Sequence, residues 1–310
     1  MAPEDAAFQT DALDGLRPLT AEDQPRIAEA VAAAEVTGWS YFFPYMLFFS
    51  QLSGNEHALF EDAEGAMLVY RMNRRKGREM LSLLVPPFPF SPAALAHAEA
   101  RMAAFNEGGA LRINRVPEEA AWMVGNEGFE LRFNSDEYVY DREAVLPMAG
   151  KAFATLRRKV RYFDEAGAVV RPYTPEDREP CETLLEEWRA LLKERGVKLG
   201  PYRSYARNCL ANASGLGPEV IRGEVIEMDG KIAAFTFGGP IDPETTALFI
   251  TISDHAFPGL AYYQRYKFIE STTHGRFFND FADSGREGLA QMKRSFRPVK
   301  MHALLSARRQ

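Results

Sequence analysis

Arg17-Pro-Leu-Thr-Ala-Glu-Asp23 recurs as Arg171-Pro-Tyr-Thr-Pro-Glu-Asp177, once near the start of the chain and once just past its middle, with five of seven positions identical. Each copy follows a short β-like run, Gly15-Leu16 in the first and Val169-Val170 in the second. Thr20 and Thr174 then stand where a helix N-cap belongs, and Asp23 and Asp177 follow three residues later in a capping-box position. After the second copy, Leu184, Leu185, Trp188, Leu191 and Leu192 fall on one face of an amphipathic helix. Such a phrase can arise twice as an efficient strand-to-helix signal; its recurrence at half the chain length favours a tandem repeat.

Working outward, the halves continue alike. The first reads as strands at 65–71 and 79–85, a helix at 92–106, a strand at 111–115 and a short helix at 118–126. The second has β-rich runs at 224–228 and 231–237 around Asp229-Gly230, a hairpin signal. A strand at 247–253, a helix at 260–273, a strand at 276–281 and a last helix at 286–295 complete it. Residues 137–147 read as the connection. The expected class is α/β (α+β), with mixed central sheets flanked by helices and domains at 1–136 and 137–310. The element order resembles that of the GNAT acyltransferase fold, twice over.

A chain of 310 residues, 46% hydrophobic and 26% charged, is globular and long enough for two cores. Its net charge of −6 argues against coating nucleic acid with the whole surface while permitting a local basic patch. The most apolar stretch, Tyr41–Phe49, is too short for a membrane span and contains Pro44. The acidic opening Met1–Asp5 lacks the order of a secretory signal. Cys181 and Cys209 form no CxxC pair, which suits a reducing compartment and gives the cytoplasm as the expected location. His57, His97, His255, His274 and His302 have no metal-site spacing, so no metal is expected. Phosphate-loop, GxSxG and strand-linked GxGxxG motifs are also missing.

Three stretches could carry chemistry. Ala256-Phe-Pro-Gly-Leu-Ala261 precedes a helix, and Gly259 with Ala261 suits either an anion-holding helix start or a plain turn. Pro86-Pro-Phe-Pro-Phe-Ser91, its counterpart in the first half, lacks the glycines. Lys151, Arg157, Arg158, Lys159 and Arg161 put five positive charges on one short helix, while Phe153, Leu156, Val160 and Phe163 form its apolar stripe. That is either a grip for a polyanion or a solvated face. Asn279-Asp-Phe-Ala-Asp-Ser-Gly285, followed by Gly288–Pro298, places Asn279 and Asp283 at a strand end near Lys293, Arg294 and Arg297. Those polar residues suit an active site or a turn.

On these residues the chain resembles the phosphatidylglycerol lysyltransferase C-terminal domain family, a tandem-GNAT module of aminoacyl-tRNA-dependent transferases. The resemblance rests on Tyr138-Val-Tyr140, on Gly150-Lys151 with Arg157 and Phe163, on Asn279-x-x-x-Asp283-x-Gly285, and on Gly288-Leu289 with Lys293, Ser295, Phe296 and Pro298. Arg158 and Arg161 replace the family's usual asparagines, and Ala290 stands where arginine is expected. The resemblance implies an aminoacyltransferase with aminoacyl-tRNA as donor, no further cofactor, and an amine or hydroxyl acceptor on a small molecule, peptide or lipid headgroup. In that frame Asp283 orients or deprotonates the acceptor, Asn279 supports it, and Lys293 stabilises negative charge. Tyr262 or Tyr263 protonates the leaving oxygen. Lys151, Arg157, Arg158 and Arg161, with Gly259 and Ala261, hold donor phosphates. An acyl-CoA N-acyltransferase and a non-catalytic anion-binding module remain the alternatives.

Overall fold

The computed structural model describes residues 13–50, 56–75, 78–197 and 202–310. The acidic opening Met1–Asp5 lies outside these. In chain order the elements are β1 (Arg17–Pro18), α1 (Gln24–Ala33), α2 (Phe43–Ser50), β2 (Glu56–Ala63), β3 (Ala66–Arg75), β4 (Arg78–Leu83), α3 (Pro92–Phe105), β5 (Leu111–Pro117), α4 (Glu118–Asn126) and β6 (Glu130–Asp141). They continue with α5 (Arg142–Val145), α6 (Ala154–Glu165), β7 (Val169–Pro172), α7 (Arg178–Glu194), α8 (Tyr202–Asn212), β8 (Arg222–Met228), β9 (Lys231–Pro240), β10 (Thr245–Ser253), α9 (Leu260–Ser271), β11 (Phe277–Asn279), α10 (Glu287–Arg294) and β12 (Lys300–Arg309).

The chain divides into two compact units. Unit 1 comprises 1–34, 49–134 and 305–310; unit 2 comprises 35–48 and 135–304. Neither is contiguous, in contrast to the single cut after 136 drawn from the sequence. The reason lies in long-range packing: 35–48 folds with the second half, and the end of β12 with the first. Of the segment read as a connection, 137–141 are the end of strand β6 and 142–145 form the short helix α5.

In unit 1 the strand order is β1-β2-β3-β4-β5, antiparallel except for the parallel pair β4–β5. Strand β2, absent from the sequence reading, turns into β3 through Glu64 and Gly65, both at positive φ. Leu68, Tyr70, Leu81 and Leu83 of the sheet are buried with Leu95, Ala98 and Met102 of α3 and Val124 of α4. Each large apolar side chain so buried contributes about 1.5–3 kcal/mol.

In unit 2 the order is β6-β11-β10-β9-β8-β7. Asp229 and Gly230, both at positive φ, make the expected two-residue turn between Met228 and Lys231. Here too one pair is parallel, β10–β11, and it is short: Thr245, Thr246 and Ala247 pair with Phe277, Phe278 and Asn279. Beyond that register β10 runs on to Ser253 paired with β9 and not with β11, so a gap opens between β10 and β11. Helix α6 buries Leu156, Val160 and Phe163, the expected apolar stripe, in a core shared with Leu260 and Tyr263 of α9. Helix α2 is apolar all round, and its residues 43–48 are buried within unit 2. It explains the run Tyr41–Phe49, and no described helix is long and apolar enough to cross a membrane.

The repeated heptapeptide folds the same way in each unit. Thr20 and Thr174 form full capping boxes with Asp23 and Asp177, each backbone N–H donating to the aspartate at 2.9 Å. Arg17 and Arg171 reach from β1 and β7 to grip those aspartates with both guanidinium arms. The arginine thus closes the strand onto the helix it precedes, a bidentate pairing only that side chain provides.

Candidate active site

The gap between β10 and β11 is bridged by side chains. Arg265, on α9, donates through Nη2 to Thr251 Oγ1 of β10 at 2.8 Å and through Nε to Asp280 Oδ2, just after β11, at 2.8 Å. Asp280 is buried and also accepts from the Tyr140 hydroxyl at 2.8 Å. Its other oxygen lies 3.3 Å from the buried ammonium of Lys293 on α10. Burial pushes the Asp280 carboxyl up, but Arg265 and Lys293 outweigh it and hold the group below its ordinary value. Burial lowers Lys293 to about 8, against the pull of Asp280.

Lys293 Nζ also donates to the carbonyls of Asp280 and Ala282, so it pins the turn that carries Asp283. Asp283 is half-exposed, accepts from the Tyr138 hydroxyl at 2.6 Å through Oδ2, and accepts from the Gly285 N–H at 2.8 Å through Oδ1. Burial and this carboxylate push Tyr138 up to about 12. Strand periodicity accounts for the arrangement: Tyr138 and Tyr140 share one face of β6, where Asp280 and Lys293 lie. Asn279, one residue earlier than Asp280, serves the other face. It is fully buried, donates through Nδ2 to Glu137 Oε2 at 2.7 Å, and accepts from the Phe281 N–H. Glu137 Oε2 also accepts the Trp39 backbone N–H at 3.0 Å. The Trp39 ring stacks on Phe281 at 4.2 Å and donates its Nε1 proton to Leu248 O of β10.

Of the residues singled out from the sequence, Asp283, Lys293 and Asn279 therefore meet around one turn. Tyr262 is half-buried on the first turn of α9. Tyr263 faces α6: its hydroxyl donates to Asp164 at 2.8 Å and its ring packs on Phe163, away from the Asp280 cluster. The basic helix splits by role. Arg157 donates to Gly150 O at 2.7 Å, and to Met148 O, and so holds the turn before α6. Lys151, Arg158 and Arg161 are exposed. Lys159 leans on α9, its Nζ 3.2 Å from Pro258 O. Gly259 caps α9 at φ +102, a conformation that glycine accommodates, and Ala261 follows in the first turn.

Sequence reasoning gave no site role to Asp280, Arg265, Tyr140, Glu137 or Trp39, although Tyr140 stood in the Tyr138-Val-Tyr140 motif. Asp280 lay inside a quoted motif, and a charged residue following an apolar strand was the available signal. Arg265 and Trp39 had none, because their partners are distant in the chain. Among the described residues no group of His, Cys, Asp or Glu side chains is arranged to hold a metal ion. Cys181 and Cys209 are buried and unpaired.

Known structures share this architecture. A conserved protein of unknown function from Bacteroides thetaiotaomicron superposes with TM-score 0.80 at 20% identity, over 95% of this chain and 99% of that one. L-PGS from Bacillus licheniformis does so with TM-score 0.64 at 15% identity, over 93% and 92%. A tandem GNAT protein from the clavulanic acid biosynthesis pathway gives TM-score 0.55 at 15% identity, over 95% and 97%. The fold is thus of the tandem GNAT-like kind expected. No curated protein matches by sequence. Family and fold together support a transferase of the GNAT or aminoacyltransferase type. Residues 46–307 match the family described as phosphatidylglycerol lysyltransferase, C-terminal, and with that span the chain belongs to it.

Proposed function

We propose that this protein moves an aminoacyl group from aminoacyl-tRNA to an amine or hydroxyl acceptor, with the chemistry in unit 2. The observation that carries the reading is the half-exposed Asp283 carboxylate, held by Tyr138 and by the Lys293-pinned turn beside the β10–β11 gap. In open α/β sheets ligands bind outside the carboxyl ends of parallel strands, which is where this turn lies. The acceptor nitrogen or oxygen attacks the aminoacyl ester carbonyl, and Asp283 orients that nucleophile and takes its proton. The new amide or ester bond forms as the bond to the ribose oxygen breaks, and Tyr262 returns a proton to that oxygen. Tyr263, already committed to Asp164, is the weaker candidate for that role. Asn279 and Lys293 act by positioning the turn, and the Lys293 charge favours a developing oxyanion. Lys151, Arg158 and Arg161 attract the donor's phosphates, which gives a salt-dependent association, while Arg157 shapes their helix. Gly259 and Ala261 offer backbone N–H groups to an anion.

The test is incubation with pooled radiolabelled aminoacyl-tRNAs and cell extract. Label leaving tRNA for a new product in the presence of the wild-type chain, and not of Asp283→Ala, is the expected result. Unchanged transfer by Asp283→Ala would overturn the site. An acyl-CoA donor is the second reading, favoured by the Gly259 turn. Against it, Trp39 Nε1 occupies Leu248 O and the Tyr202 hydroxyl occupies Thr251 N, so the free edge of β10 is already capped. Micromolar binding of acetyl-CoA by calorimetry would favour the CoA reading over the tRNA one.

A further inference from the structure

The carboxyl ends of β10 and β11 carry a group of cations that the Asp280 network does not use. Arg286 stands at the N-cap of α10, immediately beyond the Asp283–Gly285 turn. Its Nε is buried with no hydrogen-bond partner, and no carboxylate pairs with its guanidinium among the described residues. The nearby Arg265 is satisfied by Asp280 and Thr251. On the β10 side, His255 lies two residues past the strand end, and its Nδ1 lies 3.5 Å from Nη1 of Arg195, at the C-cap of α7. Arg195 likewise has no acidic partner among the described residues. The acids whose charges act on them have other partners: Asp254 accepts from the Ala256 N–H, and Asp283 accepts from Tyr138 and Gly285.

The charges of these groups bear on one another. Burial lowers Arg286, with Arg265 acting the same way and Tyr202 and Asp283 opposing. Burial, Arg195 and Arg286 all lower His255, against Asp254. A half-buried guanidinium without a counter-ion is costly in the free protein. It becomes favourable when an anion brings the missing acceptors.

We propose that Arg286, Arg195 and His255 form a binding site for a phosphate group at the open end of the β10–β11 gap. Phosphate fits better than carboxylate, because two guanidinium forks and an imidazole offer more donors than two oxygens can accept, and a phosphate presents three. The ligand is either the phosphate of the donor's terminal nucleotide or that of a phosphorylated acceptor. Only this choice rests on the transferase reading; the anion site does not.

Calorimetry at constant ionic strength with AMP, sn-glycerol 3-phosphate and inorganic sulfate tests the proposal. Binding of AMP or glycerol phosphate is expected, weakened about tenfold or more by Arg286→Gln and several-fold by Arg195→Gln, in line with the strength of charge-assisted pairing. Binding of AMP alone assigns the donor nucleotide; binding of glycerol phosphate assigns a phosphorylated acceptor. Thermal unfolding without anion guards against a folding defect: Arg286→Gln should melt no lower than the wild type, because an unpaired cation has been removed. If that variant melts lower, Arg286→Lys, which keeps the charge and loses the fork, replaces it in the titration. Sulfate binding alone, no binding at all, or equal binding by the Arg286 variants would overturn the proposal. Phosphate binding without aminoacyl transfer leaves this site standing and removes the transferase reading. Transfer without phosphate binding does the reverse.

Discussion

In unit 1, Arg17 grips Asp23 while Thr20 caps the turn; in unit 2, Arg171, Asp177 and Thr174 make the same contacts. The two parallel strand pairs that follow are closed differently. Between β4 and β5, Asn114 donates to Leu83 O at 2.6 Å and Ser82 Oγ at 2.8 Å while accepting from Arg71, a stitch made largely of neutral groups. The turn leading to α3 is filled by prolines and by the fully buried Phe88. Between β10 and β11 the closure is ionic, with Arg265, Asp280 and Lys293 buried together, and a glycine opens α9. The same entry motif therefore supports a sealed frame in one unit and a charged, reactive-looking strand end in the other. Unit 1 buries charge as well, Glu61 with Arg101, His97 and the Tyr70 hydroxyl, so the contrast lies in where the charge sits: across the parallel strand pair only in unit 2.

The sharpest way to break this contrast is Asp280→Ala. It strands Arg265 and Lys293 without their carboxylate, and a loss of about 3–5 kcal/mol is expected in urea unfolding. Asn114→Ala removes only neutral hydrogen bonds and should cost about 1–3 kcal/mol in the same assay. If the two substitutions cost the same, the distinction between ionic and neutral closure fails.

The shared module gives a smaller and symmetrical effect. Asp23→Ala and Asp177→Ala should each cost about 0.5–2 kcal/mol, the value of a lost cap, and should do so to a similar extent. A large inequality would show that the two copies no longer carry the same load. Hydrogen exchange at α1 and α7 would locate the loss.

The smallest effect is on acid stability. Arg17 holds Asp23 at about 2, and Arg171 holds Asp177 below the ordinary carboxylate value. Unfolded aspartate titrates near ~3.9, so the unfolded chain binds more protons in the interval between. The stabilisation is present above that value and is lost as pH falls through about 2. Because the arginine side chains are 46% and 35% exposed, solvent screening keeps it modest. Unfolding followed from pH 5 downward should show a shallower acid limb in Asp23→Asn than in the wild type.

Much of the scaffold is legible locally. The Thr–Asp capping boxes, the Asp229-Gly230 turn, and the stripes of α6 and α7 depend on residues within a turn or two of each other. Strands β2, β6 and β12 were harder. β12 carries no hairpin signal of its own, and 137–141, read as part of a connection, prove to be the end of a strand whose partners include β11, far along the chain. The candidate site was half legible. Asn279, Asp283 and Lys293, like Tyr140, stood in quoted motifs, while Glu137 and Arg265 gained meaning only by proximity.

The amino-acid sequence by itself determined the doubled entry motif, the alternation of strands and helices, and the polar character of 279–285, because these follow from backbone preferences and short-range hydrogen bonds. Tertiary structure alone decided that 35–48 packs into unit 2, that Tyr263 turns toward Asp164, and that Asp280 rather than Asp283 is the buried counter-ion. Those outcomes depend on which charges lose water together. Tyr140 and Asp280 are 140 residues apart in sequence, and only the pairing of β6 with β11 brings them within a hydrogen bond.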